Sequence, residues 1–129
     1  MIIAESGSEK YLTKLSNGSI SITSDTTQSK GGGGEYFRPH DLLCAGLASC
    51  LNISVRMVLE KMNLKYEKII TTVDINRDQE ESTIFLYDVD IIGNIDNDIK
   101  ESILSKVVNC PVRKTLSKNI GFQPMDKGK

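Results

Sequence analysis

The segment DLLCAGLASCLNISV, residues 41–55, sets the tightest limit on what this chain can become. No charged residue occurs between positions 42 and 55, and apolar or small residues fall on every side of a helical projection. A helix of that kind is normally wrapped by other elements. Crossing a bilayer takes roughly 18 or more apolar residues, so the run is expected to be a buried core helix. Pro39 suits the first helical turn and Asp41 favours the positive N-terminal end. From Arg56 to Met62 the pattern becomes amphipathic, and Asn63 is the expected stop. The spacing therefore predicts a central helix over 39–62.

The flanking segments have a different rhythm. Residues 1–24 read as β-strands, with Asn17-Gly18 between two alternating runs as a hairpin signal and an earlier turn at Ser6-Gly7-Ser8. Residues 25–38 are polar and then glycine-only, which predicts a flexible loop without strand or helix. Residues 66–93 hold two runs rich in Ile, Val, Thr and Tyr around the polar turn DQEE, a second antiparallel hairpin. Two helices follow over 97–118. The first is one-sided through Ile99, Ile103, Leu104, Val107 and Val108, with Asp96, Asn97 and Asp98 as candidate caps. A last strand is a candidate over 119–125. The expected architecture is a single α+β domain over 1–129, with antiparallel sheets around a long buried central helix.

Composition narrows the function classes. Sixteen basic and seventeen acidic residues give a net charge of −1, so nothing supports nucleic-acid binding. The N-terminus MIIAESGSEK has no basic region ahead of an apolar one, which predicts a cytoplasmic protein without membrane contact. Its three cysteines, Cys44, Cys50 and Cys110, are then expected to be reduced. An odd count points to core thiols, metal ligands or redox chemistry. One histidine and no short Cys–Cys spacing argue against metal. SKGGGGE lacks the Gly-Lys-Ser/Thr ending of a phosphate loop.

The cysteines differ in setting. Pro111 as first helical residue makes Cys110 the N-cap, where backbone N–H groups favour a thiolate. Arg113 and Lys114 in that first turn fit a nearby anion, although the same residues also suit a helix junction with two solvated charges. Cys50 shares a helix face with Leu43, Leu47 and Ser54, and the small residues Ala48 and Ser49 leave space beside its sulfur. Cys44 lies on another face and is expected in the core.

A glycine-rich loop leads into Pro39, Cys50 follows in DLLCAGLASCL, and NCPVRKTL comes after a strand pair and a helix. In that order, from about Gly31 to Phe122, the chain resembles the OsmC/Ohr family of thiol-dependent peroxidases. The run CLNISVRMVLEK is closest to its broad OsmC-like branch. The resemblance implies an intertwined α+β homodimer with an active site at each subunit boundary. It implies Cys50 as the peroxidatic thiolate and Cys110 as the resolving thiol in reduction of small apolar organic hydroperoxides, a stress-response activity. It implies no bound cofactor and an external dithiol reductant protein, often lipoyl-bearing.

Two positions differ from the resembled pattern. His40, followed by Asp41, stands where the best-known peroxidases have a glutamate after the helix-start proline, and no arginine precedes Arg38. An apolar setting demands a cation for Cys50 to ionise. Arg38 or His40, from either chain, and Arg113 are the candidates, with Asp41 beside them. The same residues also suit a non-catalytic dimer binding a small ligand or partner, or a thiol-based redox sensor.

Overall fold

Residues 1–126 and 128 are described by a computed structural model of the chain. The element order is β1 (Ile3–Ser6), β2 (Thr13–Ser16), β3 (Ser21–Ser24), a 3-10 turn (Gln28–Lys30), α1 (Pro39–Lys61), β4 (Lys68–Asn76), β5 (Ile84–Ile92), α2 (Asn97–Val107) and α3 (Pro111–Leu116). The fold is mixed α+β with antiparallel sheets and a long central helix. Two compact units are distinguished, Met1–Gly46 with Asp74–Leu86, and Leu47–Val73 with Tyr87–Lys129.

In the first unit β1, β2 and β3 form one antiparallel sheet in sequence order. The β2–β3 connection is built by Asn17, whose side-chain oxygen accepts the N–H groups of Ser19 and Ile20 at 3.0 and 2.8 Å. Gly18 takes the left-handed conformation there, φ +99°, which a side chain would resist. The glycine-rich segment is more ordered than its composition predicts. Asp25, only 6% exposed, accepts the N–H groups of Thr26 and Gly33 at 2.7 and 2.9 Å, which draws the loop around its carboxylate. A Cβ on Gly32 would run into the Thr26 carbonyl oxygen and lie 2.6 Å from Asp25 Oδ1. Gly32→Ala should therefore destabilise the protein by about 1–3 kcal/mol, read as a lower denaturant midpoint. A midpoint equal to wild type would show that the loop shifts without cost.

The second unit holds the apolar core. Val55, Leu59, Ile69, Ile91, Ile103 and Val107 are all buried, with Val58, Leu64, Tyr66, Val89, Ile95, Ile99 and Leu104 packed around them. The helical contributions follow the expected spacing: Leu47, Leu51, Val55 and Leu59 recur every four residues along α1, and Ile103 and Val107 do so along α2. The end of α1 is closed by Asn63 in the left-handed conformation, φ 53°. Leu64 N–H donates to Leu59 O and Asn63 N–H to Glu60 O, satisfying carbonyls that the helix leaves free.

Three expectations are corrected. Within one chain α1 is buried along that single stripe only, and Leu43, Ile53 and Met57 are 48%, 42% and 60% exposed. The helix is also 23 residues long, so it is long and apolar enough to cross a membrane, which a count confined to 42–55 understated. The last strand over 119–125 does not form. Its apolar side chains Ile120 and Phe122 are 58% and 96% exposed, and the segment joins neither sheet among the described residues.

Candidate active site

In the second unit Cys50 is braced on both sides. Two residues before it, the Ala48 carbonyl accepts a hydrogen bond from Thr71 Oγ1 at 2.8 Å. Two residues after it, Asn52 Nδ2 donates to the Ile69 carbonyl at 3.1 Å. Both bonds tie α1 to β4, so the helix cannot rotate or slide locally without breaking one. Cys50 itself is half-buried and carries a free thiol.

The chain then folds α3 against that sulfur. The N–H of Val112 donates to Cys50 Sγ at 3.4 Å, across 62 positions of sequence. A hydrogen bond of this kind favours the charged form of the acceptor. Cys110, the residue before Pro111, lies close enough for its thiol to interact with Cys50. The structure thus brings Cys50 and Cys110 together as two reduced thiols.

The expectation of an ionisable Cys110 is reversed. It is the N-cap of α3, but its side chain makes no capping bond and only 3% of the residue is exposed. Burial pushes its thiol up, the neighbouring Cys50 sulfur adds to that, and the amides of Arg113 and Val112 pull the other way. Of the first-turn amides of α3, that of Val112 also reaches the sulfur on α1. Cys44, expected in the core, is half-buried in the first unit, and desolvation raises its thiol as well.

The supporting residues separate into two groups. Arg113 is in the second unit, where its Nη1 donates to Tyr87 Oη at 3.2 Å and its guanidinium carbon lies 5.4 Å from the Tyr87 ring centre. Arg38, His40 and Asp41 are in the first unit. Arg38 forms a two-pronged pair with Asp41, Nε to Oδ2 at 3.0 Å and Nη2 to Oδ1 at 2.8 Å, and its backbone N–H also donates to Oδ2 at 2.9 Å. That last bond is half of a capping box at the start of α1. Arg38 and His40 line an open groove of about 870 Å³ with Lys30, Asp25, Asp74 and Arg77.

The Arg38 side chain and backbone hold the Asp41 carboxyl down at about 2, below its ordinary 3.8. A group lowered in the folded state stabilises above its unfolded value and loses that contribution as pH falls through the folded one. Asp41→Ala should thus cost about 1 kcal/mol at neutral pH, a figure kept small because the pair is solvent-screened. The gap between variant and wild type should close between about pH 4 and about pH 2 in urea melts. A gap that persists at the acid end would assign the loss to packing.

A cavity of about 220 Å³ in the second unit is lined by Leu51, Tyr87, Asp88, Val89, Leu104 and Val107, among others. Cys50 is not among its lining residues, so the apolar pocket expected beside that sulfur is not what this cavity provides; Leu51, the next residue of α1, faces it instead. Tyr87, Asn52, Thr71 and the Val112 amide were not marked by motif. Of these, only Tyr87 carried a signal, because it alternates with Val89 and Ile91 on β5 and so shares their face.

This arrangement, a thiol on a long central helix met by a Cys-Pro turn in a mixed α+β chain with antiparallel sheets, defines a class. The family model described as OsmC-like protein matches residues 32–124, and the chain belongs to that family. No curated protein sequence matches it. Among solved structures, the organic hydroperoxide resistance protein OsmC from Legionella pneumophila is 20% identical, with a TM-score of 0.65 over 92% of this chain and 89% of that one. The OsmC-like protein from Mycoplasma pneumoniae is 16% identical, with a TM-score of 0.68 over 90% and 85%. OhrB of Bacillus subtilis, also titled an organic hydroperoxide resistance protein, is 17% identical, with a TM-score of 0.62 over 92% and 90%. At these identities the likeness shows the shared fold.

Proposed function

We propose that the protein reduces small apolar organic hydroperoxides through Cys50 and Cys110. The observation that carries this reading is the convergence on the Cys50 sulfur: a donated amide from Val112 and a second free thiol beside it. The names of the solved relatives from Legionella pneumophila and Bacillus subtilis support the substrate class.

The Cys50 thiolate attacks the outer oxygen of the hydroperoxide. The O–O bond breaks, the alkoxide takes a proton and leaves as an alcohol, and Cys50 becomes a sulfenic acid. The Cys110 sulfur then attacks the Cys50 sulfur, the hydroxyl leaves as water, and a disulfide forms. An external dithiol of lipoyl type reduces that disulfide by exchange and is itself oxidised. The net change is ROOH plus two electrons and two protons to ROH and water. No cofactor is bound in this scheme. Within it Arg113 is the cation nearest in sequence to the resolving thiol.

The protein acts as a cytoplasmic homodimer, in which a second copy covers the exposed side of α1 at Leu43, Ile53 and Met57. A contact between apolar helix faces removes from water the area that one chain leaves exposed. The test is consumption of cumene hydroperoxide against hydrogen peroxide with dihydrolipoamide as reductant. A strong preference for the organic substrate, with turnover, supports the reading. Equal and stoichiometric oxidation of both identifies a binding protein or a thiol sensor instead.

A further inference from the structure

The helix that delivers the Val112 amide is itself poorly anchored. α3 has six residues and none of them is buried. Its Thr115 hydroxyl donates back to the Pro111 carbonyl at 3.0 Å, inside the same helix. Among the described residues, Arg113 is the one α3 side chain with a polar link to another element, and that link is Tyr87. The contact is double: hydroxyl to guanidinium at 3.2 Å, and guanidinium carbon to ring centre at 5.4 Å. Tyr87 in turn sits on β5, on the strand face shared with Val89 and the buried Ile91, and is itself 44% exposed, so its backbone belongs to the strand that the core holds while its ring stays at the surface.

We propose that Tyr87 is a positioning residue of the thiol site: by holding Arg113 it keeps the first turn of α3 seated, and with it the Val112 amide on the Cys50 sulfur. The inference rests on the reading of Cys50 as the nucleophile. Loss of the amide contact removes a hydrogen bond that the thiolate needs more than the thiol does. Tyr87 also lines the 220 Å³ cavity together with Leu51, the residue that follows Cys50 on α1.

The experiment measures alkylation of each cysteine by iodoacetamide in the full chain, resolved by peptide mass spectrometry from about pH 5 to about pH 10. Tyr87→Leu should slow Cys50 alkylation about fivefold at neutral pH, the loss of one net hydrogen bond to its sulfur, and leave Cys44 alkylation unchanged. Tyr87→Phe keeps the ring under the guanidinium and should stay within about twofold of wild type. Arg113→Leu should reproduce the Tyr87→Leu profile, and the double variant should be no slower than either single one, because the two residues act as one link. Arg113 lies on a helix without buried residues, so that variant supplies the reading if Tyr87→Leu fails to fold. A Tyr87→Leu profile equal to wild type, additive losses in the double variant, or faster alkylation of all three cysteines together would overturn the proposal. Alkylation needs no peroxide. Selectively slowed Cys50 alkylation in variants of a protein that consumes no hydroperoxide would remove the peroxidase reading and leave this one standing.

Discussion

On the proposed reaction, Cys50→Ser should lower consumption of cumene hydroperoxide by about a thousandfold or more, because a serine hydroxyl at neutral pH is neither ionised nor comparably nucleophilic. The replacement keeps the side chain's shape, and Cys50 is only half-buried, so the thermal midpoint should move little. Cys110→Ser behaves differently. The first oxidation persists, a sulfenic acid accumulates on Cys50, and turnover with the dithiol collapses as that acid oxidises further. Stopped-flow consumption combined with trapping by dimedone separates the two steps. If Cys50→Ser retains more than a tenth of wild-type turnover, the nucleophile lies elsewhere and the proposed reaction is lost.

The second large effect is on stability. Leu59 is fully buried on α1 in the core of the second unit, beside Val55, Ile69 and Ile103. Leu59→Ala removes apolar contact and leaves a cavity that close-packed neighbours cannot fill, at a cost of about 3 kcal/mol. Urea unfolding with an unchanged slope and a lower midpoint is the expected record. A loss below about 1 kcal/mol would mean that the core closes over the gap and is looser than its burial suggests. Leu59 also supplies the carbonyl that closes the helix end, but that is backbone and survives the change.

How far the sequence could be read depends on what kind of group does the work. Side chains with strong local preferences announced themselves: Asn17 with Gly18 at the first hairpin, the 3-4-4 spacing of α2, Asn63 as the end of α1. Cys50 and Cys110 were legible through the order of two motifs. The amide of Val112 was not, because every non-proline residue has one and only the fold decides where it points. The order of the glycine-rich loop was hidden for a related reason. It comes from one carboxylate, Asp25, whose burial no composition reveals. The residues 119–125 read as a strand, but they join neither sheet among the described residues, and their exposed Ile120 and Phe122 supply no burial that would hold them extended against an edge. The cover expected around α1 fails on the same point, since a hydrophobic pattern states that a face must be covered and leaves open by what.

The unequal anchorage of the two helices has a mechanical consequence for any exchange between their sulfurs. Bond formation asks at least one sulfur to travel, and resistance to that displacement is distributed unevenly. On α1 the flanking bonds to Thr71 and Ile69 make Cys50 the stationary post. On the far side, a helix of barely two turns with no interior residue acts as the swinging arm, and any approach of the two sulfurs asks it to carry along Cys110, the buried residue at its N-cap.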